Sequence, residues 1–221
     1  MTDSPPTSTH TRLHSLTAHR NRAIQEHFDR AALAWDDHQD SEQLQSLVCE
    51  WLTEAGMHPG ETVLDVGCGT GLATGALLSR LSSRGRILAV DLSSRMLHHA
   101  TSKHPDSRCI FVQGAVQHLP IPSGCADRAL AFSAWPHFEN TISTLYEIRR
   151  ILKPGGQLHI WHHDSRARVD DIHLHIGGII AEHLFPHPEM LLHACQQAGF
   201  DELELVDNAT CFRLSLLRKE A

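Results

Sequence analysis

Apolar residues in the first quarter of the chain recur at steps of three and four. From His19 to Asp37 they fall at Ile24, Phe28, Ala31, Ala32 and Trp35, and from about Gln43 to Ala55 at Leu44, Leu47, Val48, Trp51 and Leu52. That spacing places each set on one side of a helix. Gly56 and Pro59-Gly60 end the second one. Beyond Gly60 the pattern changes to short, nearly continuous apolar runs: TVLDVG, GRILAVDL, CIFVQGA, DRALAFSA and QLHIWHH. Segments of helical spacing separate most of them. LATGALLSRLSS follows the first run, and SSRMLHHATSK, with Ser93 or Asp91 as its N-cap, follows the second. ENTISTLYEIRRIL follows the fourth and leads to a turn at Lys153-Pro154-Gly155-Gly156. Strands apolar on both faces and alternating with helices predict a parallel sheet covered on both sides. A histidine-bearing helical segment from about Val169 to Phe185, a helix PEMLLHACQQAG closed by Gly199, and a hairpin of ELELVDN and CFRLSLLRK complete the chain. The pattern predicts a disordered leader over residues 1–18 and one α/β domain over 19–221, with 19–57 as a helical cap.

Composition narrows the class of partner. Nineteen Lys and Arg against 26 Asp and Glu leave a formal charge of −7. A nucleic-acid or anionic-membrane surface would want clustered positive charge, so a small-molecule partner is expected and neither nucleic acid nor membrane. Nothing in the sequence fixes the oligomeric state. The six cysteines have no CxxC pair and read as reduced thiols. With no signal-peptide pattern and no window of membrane-spanning length, the expected location is the cytoplasm. One count is unusual: 19 of the 221 residues are histidine.

The first apolar run ends in an acid and three alternate glycines, Asp65-Val66-Gly67-Cys68-Gly69-Thr70-Gly71. Glycine adds no packing and costs backbone entropy, so something there needs bare backbone. In open α/β sheets, ligands lie beyond the C-terminal ends of the strands, where a following helix presents free N–H groups. Asp91 ends the second strand, where an acid pairs with ribose hydroxyls. The spacing is GxGxG, unlike the dinucleotide GxGxxG.

DVGCGTG, VDLSSRML, the fourth-strand segment and LKPGGQL together resemble the class I S-adenosylmethionine-dependent methyltransferases, over about Phe28 to Lys219. Within that superfamily the chain is most similar to the small-molecule group around the ubiquinone and menaquinone methyltransferases. The resemblance implies a Rossmann-like seven-stranded sheet in the order 3-2-1-4-5-7-6 with strand seven antiparallel. It implies S-adenosylmethionine as cofactor and a small molecule as methyl acceptor. Asp65, Gly67 and Gly69 would serve the methionine part, Gly71 would also bind the cofactor, and Asp91 would take the ribose. Leu92 and Met96 would line the adenine, and Ser133 would border the cofactor. One departure stands out. After the third strand the family carries an acid that reads the adenine amino group. Here the stretch is Gln113-Gly114-Ala115-Val116-Gln117, with Ala115 in place of the acid, Val116 kept as an apolar wall, and Gln113 or Gln117 as substitute acceptors.

Methyl transfer from a sulfonium is an in-line displacement in which the protein supplies position, and a base where the acceptor must lose a proton. His137, in the stretch Trp135-Pro136-His137-Phe138 that follows the fourth strand, is the first candidate for substrate contact or base. His163 and His173 follow it. Alternation sends His162 and His163 to opposite faces, with His163 the one for the pocket. His173 and His175 lie about 200° apart on a helix, so at most one faces the pocket. Imidazoles from separate elements also suit a divalent transition metal, and His137, His163 and His173 are the candidate ligands for a metal-assisted reaction. A cofactor- or metal-binding protein without a reaction is the alternative outside enzymes. Phe28 and Trp35 form a candidate lid, Gly177-Gly178 a bend or hinge, and Cys68 and Trp161 ordinary core.

Overall fold

The computed structural model describes residues 9–38 and 40–220, with side chains from residue 17 onward except that of 38. Seven strands form one sheet: β1 (Thr62–Val66), β2 (Arg86–Asp91), β3 (Cys109–Gln113), β4 (Ala126–Phe132), β5 (Leu152–His162), β6 (Phe200–Asp207) and β7 (Phe212–Arg218). Their order is β3-β2-β1-β4-β5-β7-β6, as expected. β7 alone runs opposite to the other six strands, pairing antiparallel with both β5 and β6. Seven α-helices accompany them: α1 (Thr9–Ala31), α2 (Ser41–Glu54), α3 (Leu72–Arg80), α4 (Ser94–Lys103), α5 (Thr141–Ile151), α6 (Arg166–Ile176) and α7 (Pro188–Gln197).

Two cores result, one on each face, because successive strand residues point in opposite directions. Val63, Ile87, Ala89, Leu130 and Trp161 pack with α2 and α3 on one face. Leu64, Val90, Ala129, Ala131, Leu158 and Ile160 pack with α5 and α7 on the other. Trp161 is 1% exposed and meets Trp51 edge-on at 5.7 Å, which settles it as core. Cys68 belongs to the same buried cluster.

Several expected boundaries move. α1 begins at Thr9, not at His19, so residues 9–18 are helical; the rest of the expected leader, residues 1–8, lies outside the described residues. The helix also stops at Ala31, and Ala32–His38 continues as a 3-10 turn. β5 begins at Leu152, not Gln157: Leu152 pairs with Ala126, and the register then shifts so that Gln157 pairs with Arg128, which leaves Lys153–Gly156 bulged between them. Gly177 and Gly178, both at positive φ, make the bend between α6 and the 3-10 turn Gly178–Glu182. Among the described residues no helix is long and apolar enough to cross a membrane.

Candidate functional site

The chain reverses its winding direction between β1 and β4, and a cavity opens above their C-terminal ends, as the topology requires. It encloses about 630 Å³ including its open mouth. Gly67 and Gly69 after β1, Asp91 and Leu92 at the end of β2, and Val116 and Gln117 after β3 line its floor. Ser133, Ala134, His137 and Phe138 after β4 form one wall, and Met96 of α4 another. Asn21, Ile24 and Phe28 of α1, with Trp35 of the following 3-10 turn, form the roof. Phe28 touches Trp35 edge-on at 5.6 Å and His137 at 4.9 Å, so the roof reaches the wall after β4.

The three glycines differ in what they allow. A Cβ on Gly67 would lie 2.7 Å from Ala134 Cβ, so this glycine lets the β1 and β4 ends close on each other. Gly69 sits at φ 54°, and a Cβ there would meet nothing within 4 Å, so it leaves the cavity floor bare. A Cβ on Gly71 would lie 2.8 Å from the His104 ring, whose Nε2 is 2.8 Å from the Gly71 carbonyl oxygen. Gly71 therefore serves the packing of α3 on the end of α4 and does not line the cavity.

The acids divide in the same way. Asp91 accepts the Gly69 N–H at 2.9 Å and the Ser93 N–H at 2.8 Å, fixing the loop, and the residue also lines the cavity. Burial raises its pKa to about 6, against the pull of those backbone donors. Asp65 is 1% exposed, accepts the Thr74 hydroxyl at 2.6 Å and is raised to about 7, chiefly by burial. It stands behind the loop and not on the cavity wall. Ala115 is likewise off the wall, its carbonyl taking the His118 N–H at 3.0 Å. Gln117 takes the place beside Val116: its amide donates to the Glu139 carbonyl, and its Oε1 is buried without a hydrogen-bond partner.

Three side chains tie the roof to this floor. Asp29 accepts the Ser93 hydroxyl at 2.5 Å and the Arg95 N–H at 3.2 Å, reinforcing the N-cap that Ser93 gives α4. Asp36 accepts the Thr70 hydroxyl at 2.7 Å and pairs with Lys103. Arg20 reaches Glu139 and Glu182, each at 2.7 Å.

Of the three candidate histidines, His137 alone lines the cavity. Its ring is held well below the usual imidazole range by burial first and by His173 and His183 next, which keeps it neutral at pH 7. His173 is 6% exposed, stands 4.7 Å from His137 by ring centroids, and donates from Nδ1 to the His183 carbonyl at 2.6 Å. His175 is exposed, as the helical angle between them requires. His163 stands apart, with Nδ1 2.9 Å from the Ser133 hydroxyl. Strand alternation does not separate it from His162, because β5 ends at His162 and the two rings stack at 5.0 Å. Ser133 itself sits at φ 52°, a strained setting for a residue with a Cβ. His137, His163 and His173 do not converge as metal ligands. Among the described residues the group whose ligand atoms come within 4.8 Å of one another is His162, His163 and Asp164. There His162 Nδ1 already accepts the Asp164 N–H at 3.0 Å, and Asp164 pairs with Arg168 at 2.9 Å.

Sequence reasoning missed His183 and Glu139 as parts of this site. His183 Nδ1 lies 3.2 Å from His137 Nδ1, and its Nε2 lies 3.4 Å from Glu139 Oε1. The contact joins positions 46 apart through two 3-10 turns, and no periodicity signals such a meeting.

Fold and cavity together resemble those of a class I S-adenosylmethionine-dependent methyltransferase domain. Residues 64–160 match the family described as "Methyltransferase domain". The chain is 32% identical over 112 residues to a demethylmenaquinone methyltransferase of Symbiobacterium thermophilum, covering 49% of this chain and 45% of that protein. It is 32% identical over 142 residues to a malonyl-[acyl-carrier protein] O-methyltransferase of Pectobacterium atrosepticum, covering 64% of this chain and 53% of that one. The chain thus spans about half the length of these curated relatives. A SAM-dependent methyltransferase of Aquifex aeolicus shares the fold at a TM-score of 0.65 and 21% identity, covering 81% of this chain and 98% of that one.

Proposed function

We propose that the chain transfers a methyl group from S-adenosylmethionine to a small-molecule acceptor held against His137. The observation that carries this reading is that the bare floor at Gly69, the Asp91 carboxylate and His137 border one cavity. The residues present fit the cofactor. Asp91 offers a carboxylate for ribose hydroxyls, and Leu92, Met96 and Val116 offer apolar walls for a flat base. The unpartnered Oε1 of Gln117 is an acceptor for an exocyclic amine where the family's acid is missing. Gly67, Gly69 and, from behind, Asp65 serve the methionine end. When bound, the cofactor supplies an electrophilic methyl on a sulfonium.

The protein's own part is positioning and proton removal. Phe28, Trp35 and Phe138 exclude water over the reacting region, and the neutral His137 can take a proton from an acceptor that must lose one. His163 acts on the cavity only through Ser133. No metal has a part in the reading, since its three candidate ligands do not converge. The names of the relatives, for demethylmenaquinone and for malonyl-[acyl-carrier protein], support an acceptor that is not a nucleic acid.

The test is transfer of isotope-labelled methyl from S-adenosylmethionine to fractions of a bacterial small-molecule extract. Label should enter a discrete product with wild-type protein and do so little with His137→Ala. Wild-type protein that binds the cofactor yet labels nothing contradicts the reading.

A further inference from the structure

We propose that Glu139 and His183 position His137 as a base by fixing its tautomer. Glu139 keeps a proton on His183 Nε2, His183 Nδ1 then accepts the Nδ1–H of His137, and His137 presents a bare Nε2 to the cavity. The inference rests on the reading of His137 as the acceptor-side base and deepens it.

At the outer end of this chain Glu139 is held by Arg20, whose Nε donates to Oε1 at 2.7 Å. The same Oε1 faces His183 Nε2 at 3.4 Å. That nitrogen is buried, on a side chain only 4% exposed, and makes no hydrogen bond. A bare ring nitrogen against a carboxylate would set two lone pairs face to face, so the proton belongs on Nε2. Burial, with Arg20 and His173, lowers the pKa of His183 despite Glu139, so the ring is neutral and carries one proton. Nδ1 of His183 is then an acceptor. Its partner at 3.2 Å is His137 Nδ1, which must therefore be the donor. A neutral His137 with its proton on Nδ1 has a bare Nε2. His173 Nδ1 does not donate to the His183 ring, because it is committed to the His183 carbonyl at 2.6 Å. The other charged or titratable groups close to these rings are His27, His162, Arg20 and Glu182.

This arrangement selects a class of acceptor: one that carries a removable proton, such as a hydroxyl, a thiol or an acidic C–H, and not a tertiary amine or thioether. As the new bond from acceptor to methyl forms, the sulfur–methyl bond breaks and its electron pair stays on sulfur. The acceptor's X–H bond breaks and its proton moves to His137 Nε2. The charge lost from the sulfonium reappears on the imidazolium, which burial alone would disfavour. Glu139, acting through His183, offsets that cost. Glu139 and His183 are positioning residues and touch no substrate.

The test is nitrogen-15 NMR of the full chain, labelled at histidine and free of ligand, near pH 7.5, with resonances assigned by His137→Asn and His183→Gln. Protonated and bare ring nitrogens resonate far apart, so each tautomer reads out directly. Expected are a bare Nε2 on His137 and a bare Nδ1 on His183. Glu139→Ala should collapse both to tautomer mixtures, and Glu139→Gln, whose oxygen can take the same place, should restore them. A wild-type His137 protonated at Nε2, or a His137 unmoved by Glu139→Ala, overturns the proposal. If Glu139→Ala fails to fold, the wild-type tautomers decide alone. The measurement uses no cofactor, so its failure leaves the methyl-transfer reading standing, and loss of that reading would leave the tautomers as observed.

Discussion

The Asp91 carboxylate accepts the backbone N–H of Gly69 at 2.9 Å, so the end of β2 holds the turn that follows β1. One side chain thus does two things: it fixes the loop and borders the cavity. Replacing Asp91 with Ala removes a charged acceptor from both, and hydrogen bonds to charged groups are worth about 1.5–3 kcal/mol each. Affinity for S-adenosylmethionine should fall by about 100-fold, following the tenfold change per 1.4 kcal/mol. Calorimetric titration reads the loss directly, and unfolding in urea reports what part of it is structural.

The glycines should separate under substitution. Gly67→Ala puts a Cβ 2.7 Å from Ala134 Cβ at a positive φ, so it should cost more than the roughly 1–2 kcal/mol of the backbone alone. Gly69→Ala meets no atom within 4 Å and should cost about that backbone term only. It should nonetheless weaken cofactor binding at least tenfold, because the added methyl stands on the cavity floor. Urea unfolding beside a cofactor titration would show the two effects dissociated.

Asp65 gives a prediction in pH. Its carboxyl is raised from 3.8 to about 7 by burial, so the folded state holds a proton that the unfolded state releases within that window. Such a group is neutral toward stability below pH 3.8 and costs stability as the pH rises toward 7. Asp65→Asn keeps an oxygen for the Thr74 hydroxyl and removes the titration. The variant should gain stability over wild type progressively between those pH values, no faster than about 1.4 kcal/mol per pH unit, the slope of one proton. Denaturant unfolding at several pH values checks it; a difference that does not grow with pH would count against it.

Much of the fold was legible because its signals are local. The strand order followed from apolar runs joined to a resemblance, and Asp91, Gly67, Gly69, Leu92, Met96, Val116, Ser133 and His137 meet at one cavity. The start of α1 was not legible, since Thr9 to Ala18 carry few apolar residues from which a helical period could be read. The packing of Gly71 against His104 was not legible, because His104 comes from the far end of α4. The Glu139–His183–His137 chain was invisible for the same reason: tertiary contacts between irregular turns leave no period behind.

The roof predicts a dynamic effect. Asp29 joins α1 to the start of α4 through Ser93 and Arg95. Asp29→Ala removes both contacts and leaves Ser93 to cap Met96 alone. Amide exchange over residues 19–31 should quicken, and the cofactor's dissociation rate should rise several-fold with its association rate little changed. Exchange mass spectrometry and stopped-flow fluorescence of Trp35 would follow the two.

The cofactor cavity is tested first by calorimetric titration of metal-free wild-type protein with S-adenosylmethionine. One site with micromolar affinity is expected, weakened about 100-fold in Asp91→Ala and unchanged by added zinc or nickel. No binding to the wild-type protein, or binding only when a metal is added, would show that the cavity is not what its residues imply.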